Sequence, residues 1–264
     1  MKLFATLAAT ALIASGALLQ PALLQPAAAQ DVVRLGTTPE PYPPFINIDA
    51  NGKLSGFEIE IAEAVCAEAK VKCEWVLQSW EGIIPALIEN KFDAIVASMS
   101  ITEERKQVVD FTGKYYDSPA MFVGRKDQDI DITAESLNGK TVAVQVSTVH
   151  ANYLENKFKD VVTIKSYDTQ ENANLDLIAG RVDLVLADSI ALEDGLLKTA
   201  EGADFEVKGE TFTDKLMGEG VGFAVRKSDT ALRDKLTAAI AAIRANGTYK
   251  TIADKYFSFD IYGG

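Results

Sequence analysis

The 264-residue chain has one histidine, His150, and only two cysteines, Cys66 and Cys73. Those three residues cannot assemble a His/Cys zinc cage. Positive charge is also in short supply: Lys and Arg number 26 against 38 Asp and Glu, a formal charge of −12. Nucleic acid and anionic membrane both require a basic surface, so neither is an expected partner. What the chain has in quantity is apolar residues, 48% of the total. That is enough to exclude disorder, and the length suits one large domain or two medium ones.

Part of the apolar content belongs to the N-terminus. Residues 1–29 carry one charge, Lys2, then an apolar run from Leu3 to Leu19, then Gln20-Pro21 and the small residues Ala27-Ala28-Ala29. This is the order of a secretory signal peptide, with cleavage expected after Ala29. The run is broken by Ser15 and Gly16 and stops at Pro21, which disfavours a membrane-spanning helix. No Leu-x-x-Cys pattern marks a lipid anchor, and no second anchor segment follows, so a soluble exported protein is expected. Export changes how the cysteines read. Seven residues apart, Cys66 and Cys73 are too widely spaced for a redox C-x-x-C. In an oxidising compartment they suit a local disulfide, with two buried free thiols as the alternative.

After the leader, short β-rich runs alternate with helical patterns, the signature of α/β layers with mostly parallel strands. Strands are predicted at Val32–Thr37, Trp75–Gln78, Phe92–Ser98, Thr141–Val146, Val162–Tyr167, Val182–Ala187 and Gly218–Val225. Helices are predicted at Glu58–Ala69, Gly82–Glu89, Thr102–Val108, Ser147 or Thr148 to Lys157, Gln170–Ala179, Ser189–Leu197 and Ala231–Asn246, with a short one ending near Phe257. Two βα groups repeat a theme: Phe92-Asp93-Ala94-Ile95-Val96-Ala97-Ser98 and Val182-Asp183-Leu184-Val185-Leu186-Ala187-Asp188. Each is an apolar strand with an early Asp and a polar end. Ligands of open parallel sheets sit beyond the carboxyl ends of strands. Ser98, Ser100 and Asp188 therefore suggest a cleft between two lobes, although Ser98 and Asp188 also suit helix caps.

Several motifs then occur in order: Tyr42-Pro43-Pro44-Phe45, Gly52-Lys53-Leu54-Ser55-Gly56-Phe57-Glu58, and Trp80-Glu81-Gly82-Ile83-Ile84-Pro85-Ala86-Leu87. Met99-Ser100-Ile101-Thr102-Glu103-Glu104-Arg105-Lys106, Gly180-Arg181-Val182-Asp183 and the ending Asp260-Ile261-Tyr262-Gly263-Gly264 follow. Over residues 31–264 the chain resembles the periplasmic polar amino-acid binding proteins of ABC importers, solute-binding protein family 3. Within that family it is most similar to histidine, lysine/arginine/ornithine and opine receptors. The resemblance implies two α/β lobes joined by a two-segment hinge. Residues 30–116 and 220–264 would form lobe 1 and residues 117–219 lobe 2, with crossings near Tyr116–Ala120 and Glu219–Gly222. It implies no enzymatic activity and no cofactor, a periplasmic monomer, an amino-acid ligand and a membrane permease as partner. It also implies that Cys66 and Cys73 form the disulfide of the basic-amino-acid members.

The chemistry of an α-amino acid agrees. Its carboxylate needs a fork donor and its ammonium an acidic acceptor. On its own Arg105 reads as a surface arginine, but in the intact Ser-x-Ser-Ile-Thr-x-x-Arg pattern it matches the carboxylate-binding arginine. Ser98 and Ser100 are expected to complete that shell, and Asp188 is the matching candidate for the ammonium. Ser147 and Thr148 offer hydroxyls and helix N-terminal amides from the other lobe. Here the chain departs from the family, placing Val146 where glycine is usual. Tyr42 and Trp80 match the aromatic walls that sandwich a ligand stem, although Trp80 also suits an ordinary core. Glu58 and Glu40 match acids near the distal end of a cationic ligand. Two other readings remain open. One is a receptor for glutamine or glutamate. The other is a cyclohexadienyl dehydratase on the same fold, which would need a general acid such as Glu40 or Glu58.

Overall fold

The computed structural model describes residues 31–263, so the leader lies outside the described residues. The chain begins with β1 (Val32–Thr37), then a small hairpin of β2 (Asn47–Ile48) and β3 (Leu54–Ser55). It continues through α1 (Phe57–Glu68), β4 (Lys72–Leu77), α2 (Ile83–Ile88), β5 (Ala94–Ile95) and β6 (Val109–Phe111). A second group follows: β7 (Ala120–Arg125), α3 (Ala134–Leu137), β8 (Thr141–Gln145), α4 (Val149–Lys157) and β9 (Thr163–Tyr167). To this group belong α5 (Gln170–Ile178), β10 (Leu184–Asp188), α6 (Ser189–Leu192) and β11 (Phe205–Phe212). The chain then returns to the first group with β12 (Ala224–Arg226), α7 (Thr230–Ala245) and α8 (Thr248–Ala253).

Two five-stranded sheets result, ordered β4-β1-β5-β12-β6 and β11-β7-β10-β8-β9. In the first, β4, β1 and β5 are parallel, and β12 runs against both β5 and β6. In the second, β10, β8 and β9 are parallel, and β7 runs against both β10 and β11. The reversed strand of each sheet is the one laid down directly after the chain has crossed between them. The two crossing segments lie side by side, with the amides of Tyr115 and Val221 each 2.9 Å from the carbonyls of Val221 and Tyr116.

The elements follow from their residues. In β10 alternate side chains enter different cores, Val185 with Leu177 and Val123 on one face, Leu184 and Leu186 with Leu154 and Val144 on the other. A strand covered on both faces reads as a continuous apolar run. Helix α7 buries Leu236, Ala239, Ile240 and Ile243, an i, i+3, i+4, i+7 stripe, and ends before Gly247 at φ +85. Hydroxyls of Thr148 and Thr169 cap α4 and α5 by accepting from the amides of Ala151 and Asn172. Of the two residues proposed to cap α4, Thr148 does so and Ser147 does not. Cys66 and Cys73 are joined in a disulfide that ties the last turn of α1 to the start of β4.

Three elements are shorter than the sequence predicts. Pairing of the Phe92–Ser98 strand is confined to Ala94–Ile95, and the chain turns at Ser98, where φ is +52. The helix predicted over Thr102–Val108 is a single 3-10 turn, Arg105–Gln107, with the Thr102 hydroxyl accepting from the Arg105 amide at 3.2 Å. The Gly-rich strand is reduced to β12 because Gly218 and Gly220 take φ of +89 and +92. A Cβ on Gly218 would meet the Ile101 carbonyl oxygen at 2.2 Å, so only glycine allows this approach.

Candidate functional site

Between the sheets lies a cleft with roughly 550 Å³ of empty space, including the part open to solvent. From the first group, the loop after β1 contributes Glu40 and Tyr42, the turn at Trp80–Gly82 contributes Trp80, and the segment after β5 contributes Ser98, Ser100 and Arg105. The second group contributes Gln145 at the end of β8, Thr148 and His150 at the start of α4, Gln170 at the start of α5 and Asp188 at the end of β10. The lining thus gathers at the carboxyl ends of strands, where backbone turns leave polar groups unpaired.

Arg105 is the cationic pole. Its Nη1 donates to the Ser100 carbonyl at 2.9 Å, and its Nη2 donates across the cleft to the Ser147 carbonyl at 3.1 Å. The guanidinium also lies 5.4 Å from the centre of the Trp80 ring, a cation–π contact. Burial pushes its pKa down to about 10, with Glu104 and Asp188 opposing, so it stays protonated at neutral pH. Asp188 is the anionic pole. Its Oδ2 accepts from the Tyr42 hydroxyl at 2.6 Å, and its Oδ1 lies 3.8 Å from His150 Nε2. Desolvation raises the Asp188 pKa above its usual value, opposed by His150 and the Tyr42 hydroxyl. The Trp80 indole N–H donates to the Val146 carbonyl at 3.0 Å, and Asn152 Nδ2 donates to Glu104 at 3.2 Å. With the Arg105 and Tyr42 bonds, these bridge the two groups of elements. Glu40 has one buried carboxylate oxygen with no partner, and desolvation raises its pKa.

Most of the residues read from the sequence meet here: Arg105, Asp188, Ser98, Ser100, Thr148, Tyr42, Trp80 and Glu40 all line the cleft. Ser147 and Glu58 do not. Ser147 is exposed, holds φ +60 and contributes only its carbonyl, to Arg105. Val146 beside it has no positive φ, so a β-branched residue is accommodated where glycine is usual, and the left-handed turn lies at Ser147. The Thr148 hydroxyl is engaged twice, as the α4 cap and as donor to the Gln145 carbonyl at 2.8 Å. What remains available there is the first-turn amides of α4.

Glu58 is fully buried behind the cleft wall. Its carboxylate accepts from the Ser98 amide at 2.9 Å, the Ser98 hydroxyl at 3.0 Å and the Tyr115 hydroxyl. These bonds hold Ser98 in a left-handed conformation that costs a non-glycine residue on the order of 1 kcal/mol. Glu58 therefore supports the wall from behind and does not line the cleft. Burial, opposed by the Ser98 donors, pushes its pKa up to about 7 from 4.5. A carboxyl whose pKa is higher folded than unfolded adds stability below the unfolded value and loses it as pH rises through the folded one. The ligand-free protein is thus expected to lose on the order of 2 kcal/mol between pH 5 and pH 8 through this group. Urea unfolding of the wild type and Glu58→Gln across that range checks it. A variant as pH-dependent as the wild type removes the assignment.

Gln145, Gln170 and His150 also line the cleft; Gln145 opens the Gln145-Val146-Ser147-Thr148 stretch, and no motif marks the other two. The strand-end rule that points to Ser98 and Asp188 also covers Gln145 and Gln170. His150 carries no local signal, because its partner Asp188 arrives from a distant strand. Among the described residues, no three His, Cys, Asp or Glu side chains gather as a metal site.

Two α/β lobes around a polar cleft, bridged by paired connections, define a two-lobe solute-binding protein. The chain belongs to the bacterial extracellular solute-binding proteins, family 3, whose pattern matches residues 33–259. It is 48% identical over 238 residues to an L-arginine-binding protein of Pseudomonas aeruginosa, covering 89% of this chain and 92% of that one. It is 41% identical over 234 residues to the histidine-binding periplasmic protein of Escherichia coli, covering 88% and 90%. Among solved structures it is similar to an ancestral arginine-binding protein bound to arginine, with a TM-score of 0.80 and 36% identity over 87% of this chain and 99% of that one.

Proposed function

We propose that this protein is the receptor of an amino-acid ABC importer, taking a cationic amino acid such as arginine, lysine, ornithine or histidine, or an opine, and delivering it to a membrane permease. The observation that carries the reading is the opposition of Arg105 and Asp188 across one cleft, with the unpartnered oxygen of Glu40 buried in the same wall. Arg105 receives the α-carboxylate, helped by Ser100 and the first-turn amides of α4. Asp188, held by Tyr42, receives the α-ammonium. Tyr42 and Trp80 flank the stem, and Glu40 pairs with the distal positive charge. A buried carboxylate is unfavourable until a cation compensates it, which gives the cleft its preference.

Closure follows from bending at the paired segments near Tyr116–Ala120 and Glu219–Gly222, moving residues 117–219 against 30–116 and 220–264. The Tyr42–Asp188, Trp80–Val146 and Arg105–Ser147 bonds form only when these parts meet. The working protein is a periplasmic monomer exported by the leader at residues 1–29. It binds and releases without chemistry, in keeping with its relatives, which are binding proteins. Calorimetry with arginine, lysine, ornithine, histidine, octopine and nopaline, with glutamine and glutamate alongside, tests the reading. Binding of glutamine or glutamate alone overturns the cationic assignment. Glu40→Gln is expected to lower affinity for the preferred cationic ligand by roughly tenfold or more while sparing neutral ligands.

A further inference from the structure

His150 is the chain's single histidine, and it is 5% exposed at the start of α4, facing the cleft. The two oxygens of Asp188 are not equivalent. Oδ2 already accepts from the Tyr42 hydroxyl at 2.6 Å, which leaves Oδ1 the freer oxygen for an incoming ammonium. Oδ1 lies 3.8 Å from His150 Nε2, within ion-pair range but beyond a hydrogen bond. A donor group placed between them can reach both. An ammonium has three N–H donors, and a neutral imidazole with its proton on Nδ1 presents Nε2 as an acceptor.

We propose that His150 Nε2 is a second, proton-gated acceptor for the α-ammonium of the ligand, so that tight binding requires a neutral imidazole. The proposal rests on the cleft being an amino-acid site. Once protonated, the imidazole becomes a cation beside Asp188. It then donates to Oδ1 itself and repels the ammonium, so acidification releases the ligand.

The surroundings set the direction. The charged groups facing His150 are Asp188 from the end of β10 and Arg105 from the 3-10 turn, and Glu40 and Tyr42 of the loop after β1 share the lining. Burial holds the imidazole pKa below 6.5, with Arg105 lowering it further and Asp188 opposing. A bound amino acid places its carboxylate at Arg105 and its ammonium at Asp188. The new charge nearest the imidazole is positive, so occupancy disfavours protonation further. By linkage, protonation disfavours occupancy equally.

Calorimetric titration of the whole protein with L-arginine between pH 5 and pH 7.5 tests this, using wild type, His150→Leu and His150→Gln. Glutamine keeps an acceptor but cannot take up the proton. Leucine has neither property. At pH 7.5, His150→Leu is expected to bind roughly tenfold more weakly, and His150→Gln within about threefold of wild type. Below the imidazole pKa the wild type is expected to lose about tenfold more per pH unit than His150→Gln. The remaining slope belongs to Asp188, Glu40 and Glu58, which both variants keep. Equal affinity of His150→Leu and wild type, or identical pH profiles for wild type and His150→Gln, overturns the proposal and leaves the amino-acid reading intact. A wild type that binds neither L-arginine at any of these pH values nor any other ligand of the calorimetric panel overturns both. Thermal unfolding midpoints check that the variants are folded, since position 150 is buried.

Discussion

Arg105→Ala is expected to weaken amino-acid binding by more than a hundredfold while leaving the ligand-free fold largely intact. The guanidinium supplies the cleft's cationic fork, and truncating one partner of a buried charge pair costs roughly 2–5 kcal/mol. Every 1.4 kcal/mol is about tenfold in affinity. Two features set the size of the loss. Arg105 would bind the carboxylate, and it also ties the closed form together, because Nη2 reaches the Ser147 carbonyl of the other lobe. Removing it weakens both ligand contact and closure. The cost to the empty protein is small, because the carbonyls of Ser100 and Ser147 lie where water can replace the lost donors, and Ser147 is exposed. Arg105→Lys is expected to recover little, since one ammonium cannot serve two carbonyls and a carboxylate together. Calorimetry and thermal unfolding check the pair of effects. Affinity within a few-fold of wild type in Arg105→Ala means that the carboxylate is held elsewhere.

The parts of this molecule legible in its sequence are those whose signals are local. Helix α7 announces itself through the stripe Leu236, Ala239, Ile240 and Ile243 and through Gly247, and Thr148 and Thr169 mark their helices as caps. Other strands escape. The pattern of β11 is disturbed by an irregularity in register between Lys208 and Phe212, so alternation fails midway. Strand β7 is an apolar run, Ala-Met-Phe-Val-Gly-Arg, that by itself does not reveal that it runs against its neighbours. In the site, the strand-end rule reaches Ser98 and Asp188, while Arg105 stands out through the run of residues before it. Contacts between distant residues carry no local trace. Tyr42 and Asp188 are 146 positions apart, and Glu58 and Ser98 are 40 apart. Hence Glu58, placed by resemblance beside the ligand, proves to be the buried support of the Ser98 turn.

Asp188→Asn is expected to move binding and ligand-free stability in opposite directions. Binding falls by roughly a hundredfold or more, because the α-ammonium loses the anion that compensates it and meets an amide instead. The empty protein behaves differently. Its carboxylate is desolvated, has a raised pKa and lies beside an imidazole that burial keeps neutral, so the charge is under-compensated until ligand arrives. Removing such a charge relieves a desolvation cost. The Tyr42 hydroxyl keeps an acceptor, since an asparagine Oδ1 occupies the place of the carboxylate oxygen. Urea unfolding without ligand is therefore expected to show unchanged stability or a gain of about 1 kcal/mol. A loss of more than about 2 kcal/mol would make Asp188 a structural anchor and undo the argument. The expected pairing, an empty protein no less stable and a binding site nearly lost, separates Asp188 from Glu58. Glu58 holds the backbone in place. On the proposed function, Asp188 stays poorly compensated until an ammonium arrives, and that relief is free energy released only in the liganded state.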